Sequence, residues 1–191
     1  NLSSSTFKVK EIRQALAYGL PKFDEYDRVY TPISPLSWAY SKNVRLYNTD
    51  PDTAAKVLSK SPLASSSSTF TISTYPSYVA QAEKIAESWN KFGLNVKVKV
   101  ENTFNSSFQI FLMSLPIPPD PDQYSYWQST QDNTNITHYN NPKIDKLLEE
   151  GRKTLDKNTR KKIYYDFQRY LVDDLPVIFL YYPKLYQIER T

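Results

Sequence analysis

The residues with the most chemical potential lie in one stretch, Phe108 to Pro142, FQIFLMSLPIPPDPDQYSYWQSTQDNTNITHYNNP. Asp120 and Asp122 form its one tempting carboxylate pair. Paired acids flank a sugar bond in glycoside hydrolysis, and carboxylate oxygens also hold hard cations. Residues i and i+2 of an extended segment point to opposite sides, however, so two such acids seldom converge on one substrate. The alternative is structural: one aspartate caps a helix beginning near Pro121, and the other strengthens its first turn. Tyr124 and Trp127, three apart, share a face of that helix, either as core or as a stacking wall over a ligand. Asn133 and Asn135 serve as turn-makers or as ligand donors. His138 reads as a polar loop residue, and a single histidine with no cysteine argues against zinc.

These groups must be positioned by the elements around them. Phe108 to Met113 is a continuous apolar run, which predicts a strand covered on both faces. Four prolines follow (Pro116, Pro118, Pro119 and Pro121), and proline cannot continue a ladder. In an open α/β sheet the loop beyond a strand's carboxyl end is where ligands sit. Aromatic area with a few fixed amides and carboxylates suits a small-molecule or peptide site.

The clearest unit precedes that stretch. Phe70 to Tyr75 alternates as a strand, and Ser77 or Pro76 begins a helix with Val79, Ala82, Ile85, Ala86, Trp89 and Phe92 on one stripe. Gly93 ends the helix, and Leu94 to Glu101 alternates again. Strand, helix, strand of this length predicts parallel pairing through a right-handed crossover.

Further helices are expected from Thr6 or Ser5 to about Tyr18, from the start Thr49-Asp50-Pro51 with proline at the first helical position, from Pro142 to near Gly151, and from Asp156 or Asn158 to about Asp173. Residues 21–45 read as a loop in which Trp38 and Tyr40 must pack. Ser65 to Ser68 reads as a surface linker, and Val177 to Tyr182 as a buried strand. Arg160-Lys161-Lys162 reads as the solvated face of its helix. The fold class is α/β with a mixed or parallel sheet and flanking helices.

Bulk properties bound the function. The 191 residues suit one domain with a real core, and 40% hydrophobic with 23% charged residues is a globular composition. Three glycines, none in a phosphate-cradling pattern, exclude a dinucleotide fingerprint or P-loop. No cysteine means no disulfide and no thiolate chemistry. Sixteen tyrosines hint at a recognition surface or at compositional bias. The net charge of +4 is small and interleaved, permitting anionic contact without arguing for it. Residues 1–6, Ser-rich and without an export signal, read as the remnant of a linker to an upstream segment.

The order of motifs adds a resemblance. IRQALAY, PISPLSWAY, TDPDTAAKVLSK and FGLNVKVKVE, then FQIFLMS, DPDQYSYWQST and the run from Asn135 to Pro183, resemble the family 5 extracellular solute-binding proteins. These are peptide, nickel and oligosaccharide receptors of bacterial ABC importers. The resemblance implies the C-terminal lobe of a two-lobed clamp of the periplasmic-binding-protein type (type II, cluster C), spanning residues 1–191. It implies an extracytoplasmic protein, membrane-anchored at full length and monomeric, with a small-molecule or peptide ligand. Its partners would be a missing N-terminal lobe and a permease, with no nucleic acid, metal, cofactor or catalysis. The implied cleft face holds Leu115, Ile117, Pro118, Asp120, Tyr124, Trp127, Asn135 and Tyr139, with Trp38 at the edge.

One departure matters. In peptide-binding relatives the loop before DPD often carries an aspartate for the peptide's free amine, and a Gly-Trp follows the strand. Here those places hold Ser114-Leu115 and Pro116-Ile117-Pro118-Pro119, so the amine-pairing acid is missing unless Asp120 substitutes. Two competing expectations remain: a carbohydrate hydrolase using Asp120 with Asp122 or Glu101, and an aromatic, basic surface or nucleic-acid module whose affinity falls steeply with salt.

Overall fold

The computed structural model of the chain describes residues 1–61, 63 and 69–182. Its centre is the expected crossover: β1 (Thr69–Thr74), a 3-10 turn (Pro76–Tyr78), α4 (Val79–Asn90) and β2 (Asn95–Val100). β1 and β2 pair in parallel with Phe70 opposite Val96 and Ile72 opposite Val98. These side chains share one face and bury it against Ile85 and Trp89 of α4. Gly93 stands at φ +80°, where a Cβ would be strained, and so turns the chain from α4 into β2. β3 (Ile110–Leu112) pairs in parallel with the other edge of β1, giving the order β2-β1-β3. It covers three of the six residues expected.

The helices begin where side chains can satisfy their first N–H groups. Asp50 caps α3 (Pro51–Leu58) by accepting from the Thr53 N–H at 3.0 Å. Asn141 does the same for α6 (Pro142–Lys153) and Asp156 for α7 (Lys157–Asp174). α6 runs past its expected end because Gly151 lies at a helix crossing. A Cβ there would meet the Tyr164 ring at 3.0 Å, so the missing side chain lets α6 approach α7.

The single N-terminal helix expected from the pattern is two, α1 (Ser5–Lys8) and α2 (Lys10–Tyr18), broken at extended Val9. The Phe7 and Lys8 carbonyls at this break accept from the Arg13 guanidinium at 2.7 and 2.9 Å. Residues 1–6 are held against the body: the Leu2 N–H donates to Thr137 O, and the Asn1 carboxamide to Phe108 O.

Beside a small apolar cluster of Ala17, Tyr47, Val172 and Leu175, two large ones result. One joins α2, α3, the sheet and α4 around Ile12, Leu16, Ile72 and Trp89. The other joins the 31–40 loop, α5 (Tyr124–Trp127), α6 and α7 around Ile33, Leu148, Tyr164 and Phe167. Residues 177–182 run between them. The buried strand expected there is not formed: the segment is half-buried with Tyr182 exposed, Tyr181 makes one isolated bridge to Arg28, and the Val29 N–H donates to Leu180 O. The strand's period of two survives in its packing. Ile178 and Leu180 face the first cluster, Val177 and Phe179 the second. The Ser65–Ser68 linker and the proline after Tyr182 lie outside the described residues.

Candidate ligand-binding cleft

A cleft of about 310 Å³ opens between the two clusters. One wall is the edge and carboxyl end of β3, continued through Leu115, Pro116 and Ile117; the other is the extended 177–182 segment. Thr31 and Pro32 from the long loop, and Gln123, Tyr126 and Trp127 around α5, complete the lining. The sequence reading omitted Gln123, Thr31 and the 177–182 wall. Only the apolar run VIFLYY between two prolines signalled the last.

The proline-rich loop is stiff because it is pinned at three points. The Tyr126 hydroxyl donates to Pro116 O at 3.1 Å. Asp120 accepts from the Asp122 N–H and takes both arms of Arg160, at 2.7 and 3.0 Å. Asp122 accepts from the Tyr124 N–H, the first of α5, and from Arg152 at 2.8 Å. The expected helix start near Pro121 is not found: α5 begins at Tyr124 with Gln123 at its N-cap and no side-chain cap. Neither aspartate therefore caps it, and Asp122 instead bonds the Tyr124 N–H from one residue before the cap. The two carboxylates answer to different arginines on different helices and do not form an acid–base pair. Glu101 is engaged elsewhere, with Lys99 at 2.8 Å. Arg160 is accordingly no freely solvated cation.

Of the nine residues expected on one cleft face, three line it: Leu115, Ile117 and Trp127. The other six stand elsewhere, and the reasons are local. Pro118 and Asp120 sit on the part of the loop drawn toward α7. Tyr124 is covered by the Arg152 guanidinium, 3.9 Å above its ring. Trp38 packs on the second cluster beneath Arg160, whose guanidinium lies 5.6 Å from the ring. Asn135 is buried and consumes its carboxamide within the loop, donating to Tyr139 O and accepting from Thr137 Oγ1 and Tyr139 N. Tyr139 is core; its hydroxyl donates to Asp174 at 2.6 Å, and burial raises its pKa. His138 is exposed at φ 55°. Among the described residues no group of three or more His, Cys, Asp or Glu side chains could hold a metal ion.

The lining carries little free charge. Among the described residues it includes no aspartate or glutamate. Its one cationic side chain, Arg13, gives its guanidinium to backbone carbonyls, and the Asn1 α-ammonium likewise donates to Gln109 O. Asp120 supplies a testable contrast. Hydrogen bonding to Arg160 holds its carboxyl below the ordinary range, near 3.9 in an unfolded chain. The folded state therefore binds fewer protons than the unfolded one as pH falls through that window. The pair's stabilisation is complete above about pH 4 and disappears as the folded carboxyl protonates. Because the Asp120 side chain is 54% exposed, Asp120→Asn is expected to cost no more than about 1 kcal/mol at neutral pH. Urea unfolding as a function of pH should show the variant and the parent converging in acid.

Comparisons with known proteins bear on the fold and the family. Residues 1–182 match the model of the bacterial extracellular solute-binding proteins, family 5 Middle. The chain is 26% identical over 218 residues to the oligopeptide-binding protein AppA of Bacillus subtilis, covering 96% of this chain and 40% of that protein. The structure of AppA in complex with a nonapeptide superposes with a TM-score of 0.85 over 96% of this chain and 43% of its own. NikZ from Campylobacter jejuni, solved with Ni(L-His), superposes with a TM-score of 0.82 at 28% identity, over 94% of this chain and 43% of its own. The chain thus spans about two fifths of the length of the relatives it matches, with the fold and motif order preserved throughout. On that match it belongs to the family 5 bacterial extracellular solute-binding proteins.

Proposed function

We propose that this chain is one ligand-binding lobe of an ABC-importer solute receptor, acting outside the cytoplasm and without catalysis. Its cleft forms one wall of a larger site that closes on the ligand. The observation that carries this reading is the apolar cleft just past the carboxyl end of β3, where open α/β sheets place their ligands. Leu115, Ile117 and Trp127 supply apolar surface there, and the pinned proline loop is pre-organised, which lowers the entropic cost of binding. AppA, solved with a nonapeptide, points to peptides. The lining favours the body of a peptide over its ends, because among the described residues a free ammonium meets no acidic side chain on this wall. Closure against a second lobe would supply the remaining contacts and the surface that a permease recognises.

Calorimetric titration with apolar peptides, free and amino-blocked, tests this. Binding of both forms with a negative heat-capacity change is expected, as apolar area leaves water. Silence across the series would count against the receptor reading. So would binding of nucleic acid that weakens steeply with salt.

A further inference from the structure

Gln123 lines this cleft and carries an unused donor. Its side chain is 3% exposed and lines the cavity. The indole N–H of Trp127 can only donate, so the Gln123 atom 3.2 Å from it must be the oxygen. The orientation of the carboxamide therefore follows from chemistry, and its nitrogen carries two N–H donors away from Trp127. That nitrogen has no hydrogen-bond partner among the described residues. Buried donors are nearly always satisfied, and an orphan among apolar walls costs free energy until an acceptor reaches it. Two other buried polar side chains of the lining are satisfied: Thr31 donates to Gln168, and Thr137 to Asn135.

We propose that Gln123 is a specificity-determining residue that donates to a neutral carbonyl oxygen of the ligand, in the class of a peptide main-chain carbonyl flanked by apolar side chains. This rests on the reading of the cleft as a ligand wall. A neutral acceptor fits because the lining holds no free cation that could compensate a desolvated carboxylate, Arg13 being bound to carbonyls. The donor would set register while the apolar walls supply affinity.

The probes are N-acetyl-trileucine amide and free trileucine, titrated into the whole chain with calorimetry and 15N-resolved NMR of side-chain amides. Gln123→Glu keeps the acceptor for Trp127 and replaces the donating nitrogen with an oxygen. It is expected to weaken the blocked peptide about tenfold with the Trp127 indole resonance retained, and to lower the thermal midpoint, because the buried carboxyl finds no counter-ion. In the parent chain, which needs no substitution, the Gln123 amide protons should shift on binding and exchange more slowly with solvent. If the peptide binds while those protons stay unmoved, or if Gln123→Glu binds equally well, that nitrogen takes no part in binding. The inference then fails while the cleft reading stands. If neither peptide binds, the cleft reading fails and this inference with it.

Discussion

Gln168→Leu is expected to destabilise the chain by about 3–4 kcal/mol and to loosen one rim of the cleft. Gln168 lies on α7 with no exposed surface. Its oxygen accepts from Thr31 Oγ1 at 2.7 Å and from the Ser41 N–H at 3.2 Å. Its nitrogen donates to Ala39 O at 2.8 Å and Tyr164 O at 2.9 Å. One carboxamide thus fastens both ends of the 31–41 loop, which has no ladder of its own. Leucine keeps the volume, so the loss is polar: a hydroxyl, an N–H and a carbonyl stay buried without partners, each costing about 1–3 kcal/mol before relaxation. The melting midpoint should fall by roughly 10 °C, at about 2–4 °C per kcal/mol for a domain of this size. Because Thr31 and Pro32 line the cleft, hydrogen exchange across 31–41 should accelerate more than exchange in the β1–α4–β2 unit. A loss below about 1 kcal/mol, or uniform exchange, would show that the loop is held by its apolar contacts alone.

Arg13→Met should cost about 3 kcal/mol, for a related reason. The guanidinium donates to the carbonyls of Phe7, Lys8, Asp174 and Leu175. It thereby closes the α1–α2 break and holds the turn that ends α7. That turn needs holding. Leu175 is buried at φ 51°, a left-handed conformation that branched, bulky residues avoid, and it stands where a helix usually ends on glycine. Methionine fills the path of the arginine stem but leaves four carbonyls short of a donor. Arg13→Lys should recover less than half of the loss, since a point ammonium cannot span two chain segments as the planar fork does. Guanidinium denaturation of the three proteins gives the order parent, lysine, methionine. A lysine variant as stable as the parent would refute the fork geometry. Because Leu175 opens the 177–182 wall, the methionine variant should also weaken peptide binding.

Much of the fold is local and therefore legible in the sequence. The alternation of Phe70 to Thr74 and Asn95 to Val100, the apolar stripe of α4 and the turn at Gly93 specify a parallel crossover, because each signal spans a few residues and has one geometric solution. The caps at Asp50, Asn141 and Asp156 are bonds to N–H groups two or three residues on, so residue type and position suffice to place them. The order of such segments was enough to indicate the family.

The polar chemistry was decided by tertiary structure. Thr31 and Gln168 are 137 positions apart, and Asp120 and Arg160 are 40. Nothing in the pattern of α7 distinguishes a glutamine that faces the core from one that faces water, nor an arginine that clamps a loop from one in solvent. Aspartates near a loop look like ligand groups until an arginine from another helix takes them, as Arg160 takes Asp120. The residues 177–182 show the same division: their extended form and two-sided packing follow from the period of their own side chains. Whether they join a ladder depends on which backbone lies beside them, and here a cleft takes that place.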